Sequence, residues 1–331
     1  MKATFNSVVT MAALAGLTLN AHAASSTTYS IEEQQVLQQT DSSTINDGFS
    51  FLGYSQFSLV AKVDTLGANL SAAPILTLPA PTSTYPAGSV TFPTGPSFSP
   101  TWATSGGYNR YQYGDSRPTT ALLDAAYGSG TYTFTLGNAT LQPTLSLDLA
   151  TPVLPVTPML VSGGTWSGGM LLVDPTQTVT LDFNSFTTYT NGLGGKINFN
   201  LFQSSAYPTP VGSSPQSVYA PTLGKTDDAL TSFTIAPGTL TNGQNYIIQA
   251  NFTQLETVNT TNFTGTGITG NPMGLSYYTT STFITMQAIP EPSTMRLLAI
   301  MGLPACLMIL AAKSRSSARG NPAAPIDSGR T

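Results

Sequence analysis

Residues 234–252 read TIAPGTLTNGQNYIIQANF. After the Asn242-Gly243 pair, Tyr246, Ile248, Ala250 and Phe252 fall on every second position. Period-two alternation sends one set of side chains to a core and the other away from it, which is the mark of a strand. The same beat recurs along the chain. Tyr132, Phe134 and Leu136 alternate with Thr131, Thr133 and Thr135, and Leu145, Leu147 and Leu149 with Ser146 and Asp148. Val179, Leu181 and Phe183 alternate with Thr178, Thr180 and Asp182. Ile197, Phe199 and Leu201 do so with Asn198 and Asn200, which are expected to face water. Threonine is β-branched and suits a pleated surface. Asn-Gly pairs at 191–192 and 242–243 punctuate these runs, as do the proline-rich stretches Ala73–Pro100 and Ser204–Pro221. Proline is too restrictive for central strands, so those stretches are expected to cross between sheets or to lie on edges. The pattern predicts an all-β body built as an antiparallel β-sandwich, one or two sandwiches in number. Only IEEQQVLQQ, Ile31–Gln39, suggests a short helix, and it lacks a long apolar stripe.

Leu240, Gly243 and Tyr246 follow the spacing L-x-x-G-x-x-Y just ahead of an alternating strand. This resembles the corner between strands E and F of fibronectin type III and immunoglobulin-like sandwiches. The resemblance implies that the Tyr246 hydroxyl reaches back to a backbone group and that Leu240 packs beneath it. Asn242 stands where that family usually has proline. An ordinary hairpin with an Asn-Gly turn is the other reading. Gly130-Thr131-Tyr132 is a shorter echo of the pattern. A boundary is expected near Asn138–Gln142, dividing an N-terminal β-rich region, 24–140, from an immunoglobulin/fibronectin-like sandwich, 141–287. A single sandwich spanning both remains open.

The first residues carry Lys2, then the apolar run VVTMAALAGLTL at 8–19, then Ala21-His22-Ala23. Charge, apolar core and small-x-small site in that order predict a signal peptide, 1–23, cut by signal peptidase after Ala23 through Ala21 and Ala23. The body then holds five basic residues (Lys62, Arg110, Arg117, Lys196 and Lys225) against thirteen of the fifteen acids, a net charge near −8. Charged residues make up 8% of the chain, against roughly 25% in ordinary soluble proteins. The basic footprint of a nucleic-acid binder is absent. The single histidine, His22, and the single cysteine, Cys306, both fall outside the body. The body therefore has no disulfide, no thiolate or imidazole metal site and no histidine for acid–base catalysis, and no cofactor is expected.

At the other end, Leu297–Ala312 is a run of sixteen uncharged residues. As a helix (297–312) it would extend about 24 Å, short of a hydrocarbon core of about 30 Å. Arg296 and Lys313 bracket it and can snorkel toward headgroups. Lys313, Arg315 and Arg319 place positive charge on the cytoplasmic side, so the run reads as a single-pass membrane anchor. Pro290-Glu291-Pro292, an apolar span and a basic cluster, together with an N-terminal signal peptide, resemble the PEP-CTERM sorting signal of bacterial surface proteins, here 288–320, followed by a polar tail, 321–331. That resemblance implies recognition of Pro290, Glu291 and Pro292 by an exosortase, processing of the tail, and association with extracellular polysaccharide or biofilm matrix.

These features favour a non-catalytic protein of the cell surface or matrix. A carbohydrate-binding module is the alternative. Its candidate is YNRYQYGDSR, where Tyr108, Tyr111 and Tyr113 offer aromatic faces and Arg110, Asp115 and Arg117 offer hydrogen bonds. A glycosidase needs only two carboxylates, but Asp115, Asp124, Asp174 and Asp182 follow no pairing pattern. Asp227-Asp228 suits a solvated turn better than a calcium loop. Asn251-Phe252-Thr253 and Asn262-Phe263-Thr264 match the glycosylation sequon and are expected to be coincidences of a Thr-rich chain.

Overall fold

The computed structural model describes residues 27–289, apart from 50–52, 54, 67–69, 80–87, 93–107, 138, 187–193, 208–209, 213, 215, 221–229, 266–267 and 269–271. Its elements run β1 (Thr27–Gln39), β2 (Ile45–Asp47), β3 (Phe57–Leu66), β4 (Ile75–Thr77), β5 (Ser89–Thr91), β6 (Tyr108–Arg117), α1 (Thr120–Tyr127), β7 (Gly130–Thr135) and β8 (Thr144–Leu147). They continue with β9 (Leu160–Ser162), β10 (Thr165–Ser167), β11 (Met170–Val173), β12 (Val179–Phe183), β13 (Gly195–Gln203), β14 (Gln216–Ala220), β15 (Ser232–Ile235), β16 (Asn245–Asn259) and β17 (Met273–Ala288). The chain is all-β with multiple antiparallel sheets, as the alternation predicts.

The large sheet has ten strands along the path β14-β13-β16-β17-β1-β3-β6, with β11 beside the end of β17, β10 beyond β11, and β2 beside the end of β1. Two smaller sheets, β5-β4-β7-β8 and β15-β12-β9, complete the fold. Pairing is antiparallel except along β17. There β1 runs parallel from Thr28 opposite Met273 to Gln39 opposite Ile284, and β11 takes over, also parallel, at Met286–Ala288.

Both small sheets cover the same face of the large one. On β17 the even positions serve two cores: Tyr278 belongs to the first, Ile284, Met286 and Ala288 to the second. In the first, Tyr29, Ile31, Leu59, Ala61 and Val63 meet Leu76, Tyr132, Phe134, Leu145 and Leu147. In the second, Ile197, Phe199, Leu201, Ile248 and Phe252 meet Leu160, Leu181, Phe183, Phe233 and Ile235. Phe183 stacks on Phe199 with ring centroids 4.5 Å apart. Each such side chain stabilises the fold by about 1.5–3 kcal/mol on burial. The body is thus a β-sandwich in which one long sheet backs two dry cores. The division expected near residue 140 lies between β7 and β8, which pair with each other, and β1 pairs with β17 across the whole sequence separation.

The proline-rich stretches hold β4 and the edge strand β5 in one case, a short 3-10 turn (Ser204–Ala206) and the edge strand β14 in the other. Two expectations are corrected. Ile31–Gln39 is not a helix: it is most of β1, inside the large sheet. Its glutamates and glutamines suggested a solvated helix, but Glu32, Glu33, Gln34 and Gln39 are buried, on both faces of a strand. Among the described residues the α-helix is α1, where the Thr119 hydroxyl accepts a bond from the Leu122 N–H at 3.2 Å and Gly128 closes the end at φ 72°. That hydroxyl satisfies one of the free N–H groups of the first turn.

The corner at residues 240–246 has the geometry its spacing implies. The Tyr246 hydroxyl accepts a bond from the Thr241 N–H at 2.7 Å, and Leu240 is buried in the same core. The link is no hairpin, since β15 and β16 belong to different sheets. Gly243, at φ 78°, permits the turn, and its N–H bonds to the Ala288 carbonyl at 2.7 Å. In the echo of this pattern, the Tyr132 hydroxyl donates to the Gly128 carbonyl.

The signal peptide, the Asn191-Gly192 pair, Asp227-Asp228, the sorting motif and the span 297–312 lie outside the described residues. No helix among the described residues is long and apolar enough to cross a membrane.

Candidate functional site

The face of the large sheet turned away from both cores is buried as well, and it is polar. Register fixes its membership. Lys196, Asn198 and Asn200 on β13 stand opposite Thr253, Asn251 and Gln249 on β16. Thr253 and Asn251 stand opposite Thr279 and Ser281 on β17, and these opposite Gln34 and Val36 on β1. Glu32 and Gln34 in turn stand opposite Val60 and Ser58 on β3. Glu32, Gln34, Asn198, Asn200, Thr279 and Ser281 are 0% exposed, and Lys62 and Lys196 2%. Apolar groups bound this band at both ends along the strands. Val36, Phe49, Phe202, Ile247 and Phe283 cluster at one end, with Phe49 stacked on Phe283 at 4.6 Å. Leu255, Leu275 and Tyr277 cluster at the other.

Within the band a hydrogen-bonded chain crosses four strands. Ser58 Oγ donates to Gln34 Oε1 at 3.5 Å, Gln34 Nε2 to Ser281 Oγ at 2.7 Å, and Ser281 Oγ to Asn251 Oδ1 at 2.6 Å. Asn200 Nδ2 donates to Gln249 Oε1 at 3.4 Å, and the hydroxyls of Thr253 and Thr279 lie 3.0 Å apart. The Lys62 ammonium stands 3.6 Å from Glu32. Even so, both Glu32 carboxylate oxygens, Lys62 Nζ, Asn200 Oδ1, Asn251 Nδ2 and the Tyr277 hydroxyl make no hydrogen bond. The Thr279 and Tyr277 hydroxyls sit close enough to bias Glu32 toward its anion without closing to bonding distance.

Burial governs the ionisation of this face. It raises the Glu32 carboxyl against the pull of Lys62 and lowers the Lys62 ammonium against the pull of Glu32. Lys196 is lowered to about 7 by burial and by the charge of Lys62, with Glu32 acting the other way. Lys62 and Lys196, on strands four apart in the sheet, therefore extend toward Glu32 between them. At the margin, Asp64 takes Arg110 in a two-pronged pair at 2.7 and 2.8 Å.

The sequence candidates fall elsewhere. β6 is an edge strand of the large sheet, and Tyr108 occupies its first position, opposite Leu66. Tyr111 is buried in the first core, its hydroxyl accepting from the Leu70 N–H at 3.1 Å. The Tyr113 and Tyr127 hydroxyls are 2.6 Å apart, and Tyr127 donates to Asp115 at 2.5 Å. Asp115 also pairs with Arg117 at 2.6 Å. Arg110 faces the polar band, on the side of the strand opposite Tyr111 and Tyr113. The scattered acids have local partners too: Ser129 donates to Asp124 at 2.7 Å, the Thr176 N–H to Asp174 at 2.9 Å, and Ser162 to Asp182 at 2.6 Å. Asn251, within a sequon, is buried in the band. No cluster of three or more metal-ligating side chains exists among the described residues.

The band escaped the sequence reading because polar residues on alternating strands are ordinarily assigned to water. One signal was present. Asn198, Asn200, Gln249 and Asn251 share one parity across two strands, and Lys62 sits mid-strand in an otherwise largely apolar run.

No protein-family model matches the chain. No curated relative matches it either. Among solved structures, the human OSCAR ligand-binding domain aligns at 12% identity over 78% of this chain and 96% of that one, with a TM-score of 0.17. A DUF3823 family protein from Bacteroides ovatus aligns at 10% identity over 78% and 98%, with a TM-score of 0.21. Domains A168-A170 of titin align at 13% identity over 77% and 62%, with a TM-score of 0.18. These scores are too low for a common arrangement of strands to be read from them.

Proposed function

We propose that the chain is an exported, non-catalytic protein of the cell surface or extracellular matrix, directed there by its signal peptide and by the Pro290-Glu291-Pro292 tail, and trimmed by an exosortase. One observation carries this reading. Among the described residues the last one paired is Ile289, whose N–H bonds to the Val173 carbonyl at 2.9 Å, and the compact unit ends there. The sorting motif starts at the next residue of the sequence, so a cut there would leave every described strand intact. Two prolines keep the motif extended, the form in which a protease or transpeptidase accepts a backbone.

Intact mass, measured separately on protein from membrane, cell surface and medium, tests the reading. A surface or released species running from Ala24 to a residue near Pro290–Pro292 is expected. A membrane-held species still ending at Thr331, with no trimmed form elsewhere, would overturn it.

A further inference from the structure

We propose that Lys62 and Glu32 condense in the folded chain, the lysine amine and the glutamate carboxyl joining as an amide that ties β3 to β1. This modification goes beyond the sorting reading and does not depend on it.

Register brings the two side chains together. On the polar face of the antiparallel pair β1 and β3, Glu32 stands opposite Val60 and Lys62 opposite Ser30, so the two are diagonal neighbours within reach of long side chains. Lys62 Nζ lies 3.6 Å from Glu32 Oε2, with the side chains 2% and 0% exposed. A salt bridge would close further. Two residues along β3, Asp64 does close on Arg110, at 2.7 and 2.8 Å, the length of a charge-assisted bond. Lys62 Nζ and both Glu32 oxygens, by contrast, make no hydrogen bond. Burial moves the Glu32 carboxyl toward its acid form and the Lys62 ammonium toward its amine, each against the pull of the other. The charge of Arg110 adds to the second effect and that of Asp64 opposes it. An uncharged amine therefore faces an uncharged carboxyl group, near the separation of about 3–3.5 Å from which held reactants attack.

The step needs no second reactant. The Nζ lone pair attacks Glu32 Cδ, the C–N bond forms, and the carbonyl electron pair moves onto oxygen. The Tyr277 and Thr279 hydroxyls stand beside the carboxyl where that negative charge develops, and burial keeps Tyr277 protonated. A proton then passes from Nζ to the carboxyl hydroxyl, the C–O bond breaks, and its electron pair leaves with a water molecule. Nothing is oxidised or reduced. One neutral amide replaces two ions, which removes the cost of keeping two charges away from water. The closeness of the packing is what the reaction requires, since both reactants belong to the face and the exclusion of water protects the amide from hydrolysis. A body without cysteine has no disulfide to cross-link it, and this bond would constrain the unfolded chain in the same way.

The test is mass spectrometry of the purified full chain, denatured and cut with trypsin, which does not cleave after a lysine whose amine is in an amide. Most wild-type molecules are expected to yield one peptide that runs through Lys62 to the next tryptic site, Arg110, and contains Glu32. That peptide should be lighter by one water molecule than the sum of its residues, with fragmentation placing the loss on a Glu32–Lys62 junction. Lys62→Met should regain the water in the intact mass. Should that variant fail to fold, the wild-type peptide decides alone. A wild type of full mass that trypsin cuts after Lys62 would overturn the proposal. So would a Lys62→Met chain that still lacks the water, because the loss would then lie elsewhere. Neither result bears on where the chain is trimmed, which its terminal peptides report separately.

Discussion

Glu33→Gln should change how stability depends on pH. Glu33 points into the first core beside Tyr278 and Leu59 and is 0% exposed, and neither of its carboxylate oxygens makes a hydrogen bond. Burial, then the charges of Asp148 and Asp124, push its carboxyl from 4.5 up to about 8. Between these values the unfolded chain releases the proton while the folded chain keeps it. The folded state then binds more protons than the unfolded one, so stability falls as pH rises across that window. At 1.36 kcal/mol per unit, the loss reaches about 4–5 kcal/mol by pH 8, where the folded form begins to ionise and the loss levels off.

Glutamine keeps the shape and cannot ionise. Its amide adds unbonded donors at a cost of about 1–3 kcal/mol, equal at every pH, so the readout is the difference in slope. Urea unfolding at pH 5, 6, 7 and 8 should show the variant level with or below the wild type at pH 5. Between pH 5 and pH 8 its stability relative to the wild type should rise by about 3–4 kcal/mol. Groups that the substitution leaves alone cancel in the difference. Parallel curves for the two proteins would refute the argument, because they would mean that Glu33 ionises in the folded chain as readily as in the unfolded one.

Two further predictions concern the frame. Tyr246→Phe deletes only the hydroxyl that accepts from the Thr241 N–H at the corner, leaving a part-buried donor unmet; a loss of about 1–3 kcal/mol in chemical denaturation is expected. Gly274→Ala sets a methyl 2.2 Å from the Tyr29 ring, which is itself packed on Phe134 at 5.3 Å and Phe263 at 5.9 Å and cannot retreat; a loss of about 1–3 kcal/mol is expected by the same assay.

The strands that alternation reveals are those with one dry face: β7, β8, β12, β13 and the first part of β16 all carry an apolar set on one parity. β1 and β17 do not. In β1 the core parity holds Glu33 and the opposite parity holds Glu32 and Gln34, all buried, so a helix with a wet surface was the simpler reading. In β17 the run Thr279–Thr282 is 0% exposed on both faces, and nothing in four small hydroxyl residues announces the centre of a ten-stranded sheet. Tyr246 was legible because a side chain and the backbone group it serves lie five residues apart. The polar band joins residues from five strands that only tertiary pairing aligns.

Apolar and polar burial separate along the two faces of the large sheet. The face under β4, β7, β8, β9, β12 and β15 is dry apart from a few polar side chains, and the two cores on it stabilise the fold. The other face does the opposite. A chain with only five basic residues in its body buries three of them, Lys62, Lys196 and Arg110, on this one side. Removing charges from water costs several kcal/mol per ion, and a pair as open as Lys62 and Glu32 at 3.6 Å recovers only part of that. Leucine or valine at Glu32, Lys62, Asn198 and Asn251 would satisfy the same strands without that cost. Through its noncovalent contacts the polar band therefore contributes little to holding the sandwich together. It is a layer of buried hydrogen-bonding and charged groups carried on a frame that the two cores keep rigid.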